Sequence, residues 1–261
     1  MLKRLMAVAL LFISSMSCAV SVVLEPGSLF ILNNIQRDTV GLTSELRVKV
    51  ITEKLLGTPY NNHTLNSQAT AEEKLIINLK SMDCMTFIEY TEAFKRSDDY
   101  DDFIQNLEKI RYSENGISYV TRRHFFTDWL QQADSSISDV TQQISPNSIL
   151  VNKTLNRKNN GQLLIQDLPI TNRLIRYIPT KHIDNSVLGA IKTGDYIGVY
   201  SSKPELDVSH VGIAIRQGEK VYFRNASSIK RVLKVSDVDL KQYLQGKTGI
   251  VVLRSQFGQL D

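Results

Sequence analysis

Cys84 and His210 are the two side chains whose pairing could cut an amide bond. Cys84 is the only cysteine beyond residue 18. Once a leader is removed it has no partner for a disulfide within the chain. It is then either an inert buried thiol or a nucleophile. Asp83 suits a helix N-cap, and Phe87, Ile88, Thr91 and Phe94 form an apolar stripe, so the spacing predicts a helix over 83–95. Cys84 then stands in the first turn. There the partial positive charge of the helix start favours a thiolate, and adjacent backbone N–H groups could hold an oxyanion.

His210 opens the run Val211-Gly212-Ile213-Ala214-Ile215, which reads as sheet interior. A histidine at a strand entrance can face a cleft and act as general base toward a thiol. Gly212 allows a close approach by another backbone. Asn225 lies fifteen residues beyond His210, after a turn at Gln217-Gly218-Glu219. A hairpin of that length brings its open ends together. Asn225 could then hold one imidazole nitrogen while the other faces Cys84. The plainer alternatives are a structural histidine and a turn asparagine.

Taken in order, these residues carry a resemblance. Gly57-Thr58-Pro59-Tyr60, Asp83-Cys84-Met85-Thr86-Phe87, Ser209-His210-Val211-Gly212-Ile213 and Asn225-Ala226-Ser227-Ser228 resemble the NlpC-like bacterial cell-wall cysteine peptidases, which have a papain-like fold. The longer strings Ile117–Trp129, Leu206–Gly212 and Gly249–Arg254 look closest to the N-acetylmuramoyl-L-alanine amidase-like branch. The likeness runs from about residue 45 to 256. It implies Cys84 as nucleophile, His210 as base and Asn225 at a third position where many members carry histidine. It also implies Tyr60 beside the oxyanion, and Asp83 and Ser209 as substrate contacts. A helix cap and a strand-edge hydroxyl are the ordinary readings of the last two. The implied substrate is a peptidoglycan fragment, cut between (anhydro)N-acetylmuramic acid and L-Ala. Two alternatives keep the same residues: a D-glutamyl–diaminopimelate endopeptidase, and a silent murein-binding module. Arg122, Arg123 and His124 could meet the carboxylates of such a muropeptide, or form a solvated helix face. Trp129 reads as a sugar platform or, more plainly, as core.

No metal site is read: His63 and His182 stand alone, without a Cys or carboxylate at ligand spacing. No cofactor is implied. The net charge of +4 is too mild to suggest nucleic acid. Met1 to Ala19 reads as a secretory leader, with basic Lys3-Arg4, an apolar run from Leu5 to Ile13 and a small-x-small site at Ser17-Cys18-Ala19. This predicts export to the periplasm, with membrane attachment only if Cys18 is lipidated.

The elements that must position the site follow from periodicity. Residues 20–42 show no clear period and read as an N-terminal arm. Helices are predicted over 43–56, 70–80, 83–95, 99–111, 121–132 and 236–245, and strands over 195–200, 211–216, 220–224 and 249–254. Helices first and antiparallel strands later make the class α+β, here one papain-like domain over 43–261 with N-terminal helices packed on an antiparallel sheet. Residues 110–190 read as an elaboration; 133–190, the least legible stretch, could wrap the sheet or form a cleft wall.

Overall fold

The structure, a computed structural model, describes residues 21–132 and 136–258. The leader read over 1–19, with Cys18, lies outside them.

The first correction concerns the N-terminal arm. Residues 22–39 form strand β1 (Val22–Leu24) and helix α1 (Ser28–Thr39). Helix α2 (Ser44–Lys54) follows where expected. The helix expected over 70–80 is instead strand β2 (Leu75–Ile77), paired in parallel with β1. Leu75, Ile77 and Leu79 are buried, and Ile76 and Asn78 are half-buried. That is the period-2 burial of a strand. Leu75 and Leu79 also satisfy an i, i+4 spacing, which made the stretch read as a helix.

Helices α3 (Cys84–Lys95) and α4 (Tyr100–Arg111) follow where expected, α3 from the predicted cap Asp83 and α4 from Asp99, which caps it. The helix expected over 121–132 is replaced by two 3-10 turns, Tyr119–Thr121 and Phe126–Gln131. Between them Asp128 caps the N–H of Phe125 at 2.8 Å, and Arg123 donates to the carbonyls of Lys109, Ile110 and Tyr112. These bonds break the chain into short turns.

The stretch that was illegible in sequence contributes β3 (Ile137–Asp139), α5 (Thr141–Ile144), β4 (Ile149–Leu155), β5 (Thr171–Pro179) and α6 (Asn185–Ala190). Strands β6 (Tyr196–Tyr200), β7 (Val208–Gln217) and β8 (Lys220–Ala226) follow. The helix expected over 236–245 begins as strand β9 (Val235–Asp239), paired with β8, and turns helical only at α7 (Leu240–Tyr243). Asp239 supplies the cap at 3.0 Å to the N–H of Gln242. Strand β10 (Gly249–Ser255) completes the set.

Among the described residues the large sheet runs β4-β5-β10-β6-β7-β8-β9, with β3 on the far end of β10, and every pairing is antiparallel. The mixed fold of helices and antiparallel sheet is thus the expected class. Both faces are covered. Val251 and Leu253 of β10 pack with Phe87, Phe94 and Trp129 under the long helices. Ile250 and Val252 face the opposite side with Phe223 and Leu240.

Helix α3 is locked into this frame by buried polar contacts. The carboxylate of Glu92 accepts from Arg96 Nε at 2.6 Å, from Tyr196 Oη at 2.5 Å and from Ser255 Oγ at 2.7 Å. This joins α3 to β6 and β10. Toward α4, Glu89 pairs with Arg111 at 2.7 Å, both buried.

Candidate active site

Cys84 is the first residue of α3 because Asp83 ends the extended chain and caps the helix. Asp83 Oδ1 accepts the N–H of Thr86 at 2.8 Å, and the Thr86 hydroxyl accepts the N–H of Asp83 at 2.9 Å. This reciprocal capping box fixes the turn that carries the thiol. The loop over 57–62 is tied to the residue just before it. Met82 N–H donates to Pro59 O at 3.1 Å, and Asn61 N–H donates to Met82 O at 3.0 Å. Tyr60 therefore lies at the start of α3. Burial first, and then the charges of Cys84 and Asp83, push its hydroxyl up to about 12, so it stays protonated and able to donate.

Helix α3 packs against β7. The backbone N–H groups of Val211, Cys84 and Met85 favour a thiolate. Burial and the Asp83 carboxylate outweigh them and push Cys84 up to about 12. The helix start alone favours a thiolate; the half-buried position of Cys84 beside Asp83 reverses that, and the thiol rests neutral.

His210 and Asn225 come from the two arms of the β7–β8 hairpin, which turns at Gly218-Glu219 with Gln217 paired to Lys220. His210 Nε2 and Asn225 Oδ1 are 2.9 Å apart. Asn225 Nδ2 donates to Phe223 O at 3.2 Å, and this fixes which end of the amide faces the ring. An acceptor at Nε2 requires the proton there, so Nδ1 carries the lone pair of the neutral imidazole. Asn225 is 2% exposed. Burial holds His210 below the ordinary histidine value; the bond to Asn225 and the Asp83 charge pull it up, and Lys247 pulls it down. Gly212 makes this packing feasible, since a Cβ there would come 2.6 Å from both Arg224 O and the Phe223 ring.

Tyr243 of α7 is a neighbour that sequence reasoning missed. Its ring centroid is 6.3 Å from that of His210 and 4.7 Å from that of Phe223. Burial and then the Cys84 charge push its hydroxyl up to about 12. The available signal was Leu240 and Leu244, both buried, which set the face of α7 beside Tyr243.

The remaining candidates have other partners. Ser209 is exposed, with its hydroxyl donating to Val199 O at 3.4 Å, as a strand-edge residue would. Arg122 forms a 2.8 Å ion pair with Glu73, bonds Asn66 O and stacks over Tyr119. Arg123 is buried against backbone carbonyls, and His124 Nε2 meets Tyr119 O at 2.7 Å. Those three border a separate cavity of about 210 Å³ with Asp128 and Arg173. Trp129 is buried against Tyr196, so it is core. No group of three or more His, Cys, Asp or Glu suited to a metal occurs among the described residues.

A model of the AmiA-like family, described as N-acetylmuramoyl-L-alanine amidase-like, matches residues 50–250. The chain belongs to this family. The matched AmiA-like segment spans Tyr60, Cys84, His210 and Asn225. A crystal structure of an N-acetylmuramoyl-L-alanine amidase from Bacteroides uniformis is 30% identical, with a TM-score of 0.68, covering 81% of this chain and 98% of its own. One described as a putative xylanase from Bacteroides fragilis is 29% identical, with a TM-score of 0.64, covering 82% and 100%. A Legionella pneumophila protein at 21% identity shares the fold, with a TM-score of 0.73 over 86% of this chain and 93% of that one. No curated protein sequence matches.

Proposed function

We propose that this AmiA-like chain is a cysteine amidase of the NlpC-type, papain-like kind. It hydrolyses the amide joining the lactyl group of (anhydro)N-acetylmuramic acid to L-Ala in peptidoglycan fragments. The observation that carries the reading is the 2.9 Å bond between His210 Nε2 and Asn225 Oδ1, with His210 on β7, the strand packed against the helix that Cys84 opens.

The neutral resting pair sets the order of events. Cys84 Sγ attacks the lactyl carbonyl carbon while His210 Nδ1 removes the thiol proton. The oxyanion meets N–H groups at the start of α3 and the Tyr60 hydroxyl. Imidazolium then protonates the nitrogen of L-Ala, the C–N bond breaks and the stem peptide leaves. A thioester remains on the sugar side. Water adds to it with His210 again as base, releasing the carboxylic acid and restoring the thiol. Asn225 holds the ring and its tautomer throughout.

A glycosidase would need two carboxylates flanking one glycosidic bond. Asp83 is the carboxylate acting on both Cys84 and His210, and its Oδ1 is engaged in the helix cap. The Bacteroides fragilis description therefore finds no support in this site. As part of the same reading, residues 1–19 export the chain to the periplasm, and fractionation of cells expressing it tests that.

Purified protein is incubated with anhydromuropeptides and the products are weighed by mass spectrometry. The expected products are the intact stem peptide and the free anhydro sugar acid. Release of a sugar still bearing L-Ala-D-Glu would assign the endopeptidase bond instead. Binding without cleavage would leave a murein-binding module.

A further inference from the structure

The cavity at the far end of α3 has no part in this chemistry. It has a volume of about 380 Å³ and lies between the start of α2, the end of α3, the loop over 191–195 and strands β7 and β10. Cys84 and Lys95 are eleven residues apart on α3, so the two sites are separated by about 16 Å along the helix.

Lys95 lines this cavity and is 5% exposed. Among the described residues its ammonium makes no hydrogen bond. The nearest carboxylate oxygen, Glu92 Oε2, is 4.0 Å away, and Glu92 is already engaged by Arg96, Tyr196 and Ser255. Glu92 at 4.0 Å is a counter-charge but not a hydrogen-bond acceptor for this ammonium, so its three donors face the cavity and favour a group there that accepts from them. Its neighbours are cationic as well. Lys192, Arg216 and Arg254 line the same space. The acidic side chains there are already matched: Asp195 by Arg254 at 2.6 Å and Glu45 by Lys49 at 2.6 Å. Arg254 uses Nε and Nη2 on Asp195 and leaves Nη1 without a described partner. Helix α2 opens on the cavity at Thr43, whose side chain makes no cap, so its first N–H groups also point to a free end.

We infer that this cavity is a binding site for a small oxyanion of phosphate or carboxylate chemistry, held by the Lys95 ammonium with Arg254, Lys192 and the start of α2.

Thermal unfolding of the full protein is followed in chloride buffer while inorganic phosphate, citrate or further chloride is added at matched ionic strength. A saturable rise in Tm with phosphate or citrate, absent with chloride, is expected. Saturation by phosphate alone assigns a phosphate group, and by citrate alone a carboxylate. Lys95→Met should weaken the half-saturating concentration at least tenfold, and Lys181→Met, on an exposed turn elsewhere, should leave it unchanged. Should Lys95→Met fail to fold, Lys192→Glu at the exposed rim decides: a loss of the saturable rise supports the site, and an unaltered rise overturns it. No saturation in wild type, or equal saturation in Lys95→Met, also overturns it.

Discussion

His210 and Asn225 set the pH range in which Cys84 works. The base must be neutral to accept the thiol proton, and burial holds its pKa below the ordinary 6.5. Activity should therefore persist below pH 6.5 and fall only as pH drops through that lower value; a pH series of kcat/KM measures it. An acid limb at or above 6.5 would contradict a half-buried ring held neutral. Asn225→Ala removes a hydrogen bond that both orients the ring and raises its pKa. Such a bond is worth about 1–3 kcal/mol, so kcat/KM should fall roughly 10- to 100-fold. The same variant should move the acid limb to lower pH still, which a merely structural asparagine would not do. These two residues were legible in sequence because a short hairpin sets their separation. Tyr243 was not: Leu240 and Leu244 mark a helical face, but nothing local places Tyr243 beside His210. Arg122 and Arg123 looked like free cations for an anionic substrate. Their partners, Glu73 and the backbone carbonyls of 109–112, come together only through tertiary structure.

At the scale of elements, the start of α3 carries opposing demands. The Asp83–Thr86 box stabilises the helix, and the same carboxylate raises the neighbouring thiol. Asp83→Ala should cost about 1 kcal/mol of stability through the lost cap. It should also lower the thiol pKa, so that alkylation of Cys84 by iodoacetamide at pH 8 becomes faster than in wild type. A variant with unchanged Tm and unchanged alkylation rate would refute both effects. The elements that read correctly are those with one strong period, α2, α3, α4, the β6–β8 run and β10. Helix α1, twelve residues long, went unread in the N-terminal arm, and the elements assigned the wrong type are short. Strand β2 has three residues, and Leu75 and Leu79 fit either period. The segment over 235–243 divides into a strand and a single helical turn, too brief for a helical period to be tested.

Across the whole molecule, the site depends on α3 being held rigidly against the sheet, and Glu92 is the tie. Burial raises its pKa, but Lys95, Arg96, Tyr196 and Ser255 together hold it below the usual 4.5. The stability this adds is fully present above the unfolded carboxylate value. It is lost as pH falls from there through the lower folded value. Glu92→Gln leaves Arg96 and Lys95 facing a neutral partner and should cost about 3–5 kcal/mol. Urea unfolding at pH 7 and pH 4 checks this, with the gap between wild type and variant narrowing at the lower pH. The α+β class was legible because helices precede strands in the chain. The strand order was not, since β10 inserts between β5 and β6, a pairing that no local pattern announces.

The central claim is that Cys84 cuts the amide. Its most direct test is the rate of stem-peptide release from anhydromuropeptides by Cys84→Ala beside wild type, with circular dichroism confirming that both are folded. Loss of the nucleophile should lower the rate by at least about 10³-fold. Release by Cys84→Ala at the wild-type rate would contradict the account.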